Sequence, residues 1–421
     1  MLEQNLYRLK KLIPARFFAG VQPAYHYAMA LWGALYHAFP SRHMTVIAVT
    51  GTKGKSSVVE ILNAIFEEAG YKTALTNTIR FKVGNESEEN LYKMSMPGRT
   101  FMQAFLARAA KAGCTHAILE VTSQGASLFR HKFIDFDGLV FTNLAPEHIE
   151  AHGSFDNYIA AKLSIADAVV RSKKKRTVLV ANADDEKSER FLAKAFKEKK
   201  TYSLSDAKPY VLHKEGFEMT ARGVPMRSRL SGDFNIQNEL AAITMAEAFG
   251  VSAEVAKRAI EKFSGIPGRV QRIDEGQDFT VIVDYAHTPD SLQKLYDVFQ
   301  GSRRICVLGN TGGGRDTWKR DEMAKIAERS CDEIILTNED PYDDDPRKIL
   351  SDMAEAMTEK RPQIVLDRRE AIRAALQTAK TGDSVLITGK GTDPYIMGPN
   401  NTKIPWSDAA VVREEIAKLG K

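Results

Sequence analysis

Cysteine is scarce in this chain: the 421 residues hold three, Cys114, Cys306 and Cys331, widely spaced and with no CxxC pair. That argues against a disulfide framework and predicts buried thiols in a reducing compartment, the cytoplasm. A long apolar run is missing as well. The candidate stretch, 27–36 (YAMALWGALY), is flanked by Pro23, His26 and His37 and preceded by Arg8, Lys10, Lys11 and Arg16. It is about half the roughly twenty residues that a bilayer crossing needs, so neither a membrane span nor a signal peptide is expected. A helix packed on the core is the expectation, or one lying against a partner or membrane surface. Charge of one sign is lacking too: 59 basic residues against 54 acidic ones leave a net +5, and the only dense basic run is 173–176 (KKKR), between apolar segments. Nucleic acid is therefore excluded as a partner. Glycine and proline are scattered rather than clustered, and no short-period repeat occurs, which excludes disordered and low-complexity classes.

What is present is an alternation of β-branched runs with amphipathic stretches, the pattern of a parallel sheet covered by helices. Strands are expected at 45–50, 73–77, 116–121, 138–142 and 177–181, hairpins at a sheet edge over 203–230, and helices over 235–249 and 253–263. The Gly-Ile-Pro-Gly stretch at 265–268 reads as a linker. Beyond it a second series of strands is expected at 279–284, 303–308, 333–337, 363–366 and 384–388. The fold expected is α/β: a short helical N-terminal extension (1–43), a central domain with a P-loop-type, mostly parallel sheet (44–266), and a C-terminal doubly wound, Rossmann-like domain (267–421).

The strongest local signal is Thr50-Gly51-Thr52-Lys53-Gly54-Lys55-Ser56-Ser57, between the first strand and a helix. Glycines let backbone N–H groups approach phosphate oxygens, and a helix N-terminus favours negative charge. Lys55 can reach the terminal phosphates and Ser56 can bind magnesium. The full P-loop places glycine where this chain has Val49, so the loop is a shortened variant. Glu120 ends a strand and His148 lies just past the next, both at the carboxyl edge of the sheet where α/β ligand sites form. Their chemistry suits metal ligation beside a triphosphate.

The loop TGTKGKSS resembles that of the Mur ligase superfamily, which includes folylpolyglutamate synthases. The resemblance continues in order through Glu120-Val121-Thr122-Ser123, Phe141-Thr142-Asn143-Leu144, Glu147-His148, His152-Gly153, Tyr158, Ala160-Ala161-Lys162, Asn235-Ile236-Gln237-Asn238, Gly268-Arg269, Asp284-Tyr285-Ala286-His287-Thr288-Pro289-Asp290 and Gly389-Lys390-Gly391. Within the family these phrases are most similar to the branch that adds the third amino acid to the muramoyl peptide of peptidoglycan.

The resemblance implies an ADP-forming acid–amino-acid ligase using ATP and Mg2+, which activates an acceptor carboxylate as an acyl phosphate and couples it to a free amino acid. It implies that Lys55, Glu120, His148 and Lys162 are catalytic. Gly51, Thr52, Lys53, Gly54, Lys55, Ser56, Ser57, Asn238, Arg269 and Asp284 would bind ATP. Ser56, Glu120, His148 and a carbamylated Lys162 would hold magnesium. Ser95, Thr122, Ser123 and Arg130 would bind the acceptor. Arg315, Asp340, Tyr342, Gly389 and Asp393 would bind the amino acid, with domain closure excluding water.

Three departures bear on the substrates. Family members carry an N-terminal UDP-gripping domain, whereas a short segment precedes the loop here, so either UDP is held differently or the acceptor is not a UDP-sugar peptide but a lipid-linked or peptide-only one. Diaminopimelate-adding members have Asp-Asn-Pro-Arg where this chain has Glu339-Asp340-Pro341-Tyr342, which favours a cationic or neutral side chain, lysine among them. Ser95-Met96-Pro97 and Gln124 replace acceptor-contacting residues of relatives. The alternatives are a polyglutamate-type ligase acting on a non-UDP acceptor, and a nucleotide-binding subunit of a larger complex.

Overall fold

The computed structural model describes residues 15–147, 149–314 and 317–420. They form two compact units: the first runs to Tyr202 and takes in Ala241–Val251, and the second comprises Ser203–Leu240 and Ser252–Lys421.

The first unit is built on strands β1 (Thr45–Thr50), β2 (Thr73–Thr76), β3 (Arg80–Val83), β4 (Glu86–Glu89), β5 (His116–Glu120), β6 (Gly138–Phe141), β7 (Val178–Asn182) and β8 (Glu198–Tyr202), in the sheet order β4-β3-β2-β5-β1-β6-β7-β8. β3 runs antiparallel to both its neighbours, β2 and β4, and the other neighbours are parallel. β1 (TVIAVT) and β5 (HAILE) sit centrally because helices cover both faces, so their side chains are buried almost without interruption. The edge strand β4 (ESEE) is exposed at every position, and its charges discourage pairing with another chain. Residues 45–50 form the expected strand, three of the others end one residue earlier than expected, and the strand expected at 177–181 is shifted by one residue to 178–182. β3, β4 and β8 were not expected, because β4 and β8 are charged edge strands that owe their conformation to a neighbour rather than to an apolar period.

The N-terminal helix, Ala15–Tyr36, packs on the helix Arg99–Lys111, with Ala30 and Ala34 buried between them. Its other face leaves Trp32, Leu35 and Tyr36 exposed. No helix among the described residues is long and apolar enough to cross a membrane.

In the second unit, β9 (Tyr210–His213), β10 (Gly216–Ala221) and β11 (Val224–Ser228) make a separate antiparallel sheet, which corrects the expectation of hairpins on the edge of the main one. β12 (Gln271–Ile273), β13 (Thr280–Val283), β14 (Arg304–Leu308), β15 (Glu333–Leu336), β16 (Gln363–Ile364) and β17 (Ser384–Ile387) form a six-stranded sheet ordered β12-β13-β17-β14-β15-β16, parallel except for β12. Apolar clusters fill both of its faces, around Leu292, Tyr296 and Met323 on one and Ile372, Leu376 and Val412 on the other. Cys306 and Cys331 are joined by a disulfide, 6.1 Å between Cα atoms, so the expectation of buried thiols holds for Cys114 and fails for this pair. Spacing could not reveal it, because β14 and the end of the helix Lys319–Ser330 meet only in the folded unit.

Candidate functional site

The described residues singled out from the sequence divide between the two units. In the first, β1 ends at Thr50 and the helix Lys55–Glu68 begins directly after the loop. Gly51 has φ 150°, and a Cβ there would lie 1.9 Å from the Thr142 hydroxyl, so the turn admits only glycine. Gly54, at φ 80°, precedes the helix without a side-chain cap. The loop is pinned from the β6 end: Lys53 N–H donates to Asn143 Oδ1 at 2.8 Å, and the Thr142 hydroxyl donates to the Lys53 carbonyl at 2.6 Å. The Lys53 ammonium pairs with Glu147 at 2.8 Å, and Thr52 exchanges a hydrogen bond with the Tyr158 hydroxyl at 3.0 Å. Lys55 Nζ donates to the Thr52 carbonyl at 2.8 Å, folded back over its own loop.

Behind the loop, the Ser56 hydroxyl donates to Glu120 Oε2 at 2.7 Å, and Thr78 N–H donates to the same oxygen at 3.2 Å. Glu120 is buried at the end of β5. Lys162, on the helix Phe155–Val170, is buried among these groups; its amine donates to the Gly51 carbonyl at 2.6 Å and sits 4.7 Å from the Tyr158 ring centre. Burial and the neighbouring Lys55 cation push that amine well below the ordinary lysine value, against the opposing pull of Glu147 and Glu120. Among the described residues no three His, Cys, Asp or Glu side chains converge on one point. A hard cation here would draw on the Ser56 and Glu120 oxygens together with phosphate oxygens, a donor set that fits magnesium.

Among the residues expected to bind the acceptor, Thr122 caps the short helix Ser123–Ser127 by accepting from Gly125 N–H, and Ser123 Oγ lies 3.1 Å from His152 Nε2. Arg130 donates to the Met96 carbonyl. Ser95 is buried, and its hydroxyl has no partner among the described residues. Ser95, Arg130 and the short helix therefore share one region. His148 and Arg315 lie outside the described residues.

In the second unit, Asn238 donates to Asn235 Oδ1 at 3.0 Å, and the Arg269 guanidinium lies over the Tyr285 ring at 4.4 Å. Both Asp284 oxygens accept backbone N–H groups, from Val270 and Ala286, each at 2.6 Å. Burial raises its carboxyl above the ordinary value. Lys390, fully buried, donates to Asp340 at 2.7 Å and to Asp393 at 3.3 Å, and Asp340 also accepts from Met397 N–H. Tyr342 has φ 54° and donates its N–H to the Met397 carbonyl.

Sequence reasoning missed Glu339. Its Oε1 accepts from Thr311 at 2.7 Å, while Oε2 is buried with no partner among the described residues. A Cβ on Gly389, φ 103°, would come within 2.4 Å of that oxygen, so glycine keeps the carboxylate in place. The signal available in the sequence was its position next to Asp340. Asp393 first, then burial, Asp340 and Glu339, drive the Tyr285 phenol well above its ordinary value, with Arg269 opposing.

A family model described as the Mur ligase middle domain matches residues 49–246, and one described as the Mur ligase glutamate ligase domain matches 268–391. The chain is 36% identical to a UDP-N-acetylmuramyl-tripeptide synthetase of Roseiflexus sp. (strain RS-1), over 93% of this chain and 82% of that protein. It is 35% identical to a UDP-N-acetylmuramoyl-L-alanyl-D-glutamate--2,6-diaminopimelate ligase of Syntrophomonas wolfei, over 87% of this chain and 77% of that one. A solved structure of a ligase with that second name superposes with TM-score 0.62 at 27% identity, covering 90% of this chain and 79% of that one. A Mycobacterium tuberculosis folylpolyglutamate synthase superposes at TM-score 0.70 with 17% identity, covering 87% and 93%, and shares the fold.

Proposed function

Since the chain belongs to the Mur ligase family of ATP-dependent amide-forming ligases, we propose that it adds a cationic amino acid, lysine, to the carboxylate of a muramoyl peptide in peptidoglycan stem synthesis. The functional boundary would lie at the linker 265–268.

The first unit has the means for activation. An acceptor carboxylate oxygen attacks the γ-phosphorus of ATP, the bond to ADP breaks, and an acyl phosphate forms. Lys55 and the loop N–H groups would hold phosphate oxygens as the two anions approach, and magnesium held by Ser56 and Glu120 would supply further positive charge. Lys162, carbamylated, would become an anion beside Ser56 and Glu120 and complete the metal's donors with His148. The amine of the incoming amino acid then attacks the acyl carbon, loses a proton, and expels phosphate.

The observation that carries the choice of amino acid is the buried, unpartnered oxygen of Glu339 in an acidic surround. Among the described residues, Glu339, Asp340 and Asp393 all act on Tyr285, Asp340 and Asp393 accept from Lys390, and Arg368, already paired with Asp408, also feels Glu339 and Asp340. A lysine ammonium would supply the missing charge. The distal carboxylate of diaminopimelate would meet like charge, with Tyr342 standing where an arginine would be needed. The test is ADP release across candidate acceptors and amino acids, with the product identified by mass. Release that requires a UDP-muramoyl dipeptide and lysine together supports the proposal; activity on a non-UDP acceptor with none on UDP-muramoyl peptides, or preference for diaminopimelate, refutes it.

A further inference from the structure

The N-terminal helix, Ala15–Tyr36, has one packed side and one bare side. On the packed side, small residues let it lie close to the helix Arg99–Lys111: Ala30 and Ala34 are buried, and a Cβ on Gly33 would come 3.1 Å from Thr100 Cα. On the bare side, Tyr25, Trp32 and Tyr36 recur at helical spacing, with Leu35 beside them. Their exposure runs from 55% at Trp32 to 71% at Tyr36, and Trp32 stacks on Tyr36 with 5.4 Å between ring centres. Residues 17–41 contain no Asp, Glu, Lys or Arg. A helix that faces water carries charged side chains on its outer face, so an aromatic stripe of this kind marks a surface that is covered in use.

The border of the stripe is strongly basic. The helix ends in a turn where Phe39 N–H donates to the Ala34 carbonyl at 2.8 Å, and the Arg42 guanidinium lies over the Phe39 ring at 4.1 Å. Arg42 donates to Asp135 at 3.0 Å, and the other oxygen of Asp135 accepts from Lys173 N–H at 3.2 Å. Lys174 donates to the Met44 carbonyl and pairs with Asp137 at 3.1 Å. These contacts lay the segment 171–176 (RSKKKR) beside the end of the N-terminal segment. Lys197 adds a further cation by donating to the carbonyls of Lys174 and Lys175. Arg171, Lys173 and Lys175 are exposed, and their side chains bond no carboxylate among the described residues. The C-terminus of the helix Phe155–Val170 favours Arg171, but that effect fades within a turn and does not account for the lysines beyond it. Nucleotide phosphates do not account for them either. The run precedes β7, whereas the phosphate loop follows β1, and both strands run parallel to β6, so the two loops lie at opposite edges of the sheet.

We propose that the bare face of the N-terminal helix and the basic run 171–176 together bind the surface of an anionic lipid bilayer. Trp and Tyr rings suit the headgroup level, where one edge is apolar and the other wet, and each lysine near an anionic leaflet adds attraction. A protein partner fits less well, because lysine is depleted from protein interfaces. The helix lies on the bilayer, since no helix among the described residues is long and apolar enough to cross one. The proposal goes beyond the ligase reading and does not need it, because vesicle binding is measured without turnover.

The test is co-sedimentation of the full chain with vesicles of neutral phosphatidylcholine and with vesicles that also contain anionic phosphatidylglycerol. The chain should sediment with the anionic vesicles and stay in solution with the neutral ones, and salt at about 0.5 M should release most of it. Trp32→Ala combined with Tyr36→Ala, and separately Lys173→Gln combined with Lys175→Gln, should each weaken binding at least about tenfold with Tm unchanged. If the aromatic pair lowers Tm, the lysine pair and the salt dependence decide. Binding to neither vesicle, equal binding to both, or full binding by either well-folded variant overturns the proposal. Self-association that Trp32→Ala abolishes, without vesicle binding, overturns it in favour of a second copy of the chain.

Discussion

The two units carry opposite kinds of unfinished electrostatics. In the first, positive groups are crowded and desolvated: Lys162 beside Lys55 at the loop after β1, and, elsewhere in the unit, Arg99 beside Arg130. Around Lys390 in the second, Glu339, Asp340 and Asp393 gather, and one buried oxygen of Glu339 has no partner among the described residues. A structural ion pair closes its own circuit, as Arg368 and Asp408 do, both wholly buried and joined at 2.7 Å. A binding site holds the circuit open in the sign of its ligand. On the proposed reading, the first unit would take anions, nucleotide phosphates and a carboxylate, and the second an ammonium.

That contrast can be broken in several ways. The largest effect is expected where a circuit is closed: Asp408→Ala strands the Arg368 guanidinium and should cost about 3–5 kcal/mol in urea unfolding. A loss below about 1 kcal/mol would mean that burial and pairing do not separate structural from ligand-awaiting charges as argued. Lys162→Met keeps the aliphatic stem and removes the amine. Activity should fall about a hundred- to a thousandfold with little change in Tm, and a short carboxylate such as acetate should restore part of it if the working form is the carbamate. An unaffected rate would remove Lys162 from the site.

Glu239 offers a third case, a buried carboxyl that resolves its burial with a proton instead of a ligand. Burial raises it from 4.5 to about 8, with the bond from Ser228 opposing. Between those values the folded chain retains a proton that the unfolded chain gives up, so stability should fall as pH climbs from 4.5 to 8, by about 4 kcal/mol. Glu239→Gln should flatten that slope; an unchanged slope would show that the carboxyl is not protonated in the native state. The smallest effect concerns specificity. Glu339→Gln should lower kcat/KM for lysine about tenfold, roughly 1.4 kcal/mol, and leave Tm level or raised, since one of three crowded carboxylates loses its charge.

How legible these features were depended on whether their cause was local. The strand–loop–helix around Lys55 could be read directly, because the apolar run 45–50, two glycines and GKS each encode their own conformation. Core strands such as 303–308 were visible for the same reason, while the edge strand ESEE was not, since nothing in its own residues prefers extension over a loop. Lys162 shows the other limit. Lysine in an alanine-rich helix reads as a solvated face, and its burial against the Gly51 carbonyl comes from packing across more than a hundred residues of sequence. Glu339 was passed over because an unpartnered buried atom is a property of the fold, and the Cys306–Cys331 bridge was missed because spacing does not report which strand lies beside which helix end.

The central claim, that a carboxylate is activated by phosphoryl transfer before the amine attacks, is tested most directly with an acceptor whose carboxylate carries oxygen-18. With ATP, magnesium and lysine present, the released phosphate should contain one labelled oxygen, because the acyl phosphate hands its bridging oxygen to the leaving group. Phosphate without label, or formation of AMP and pyrophosphate in place of ADP, would contradict the account.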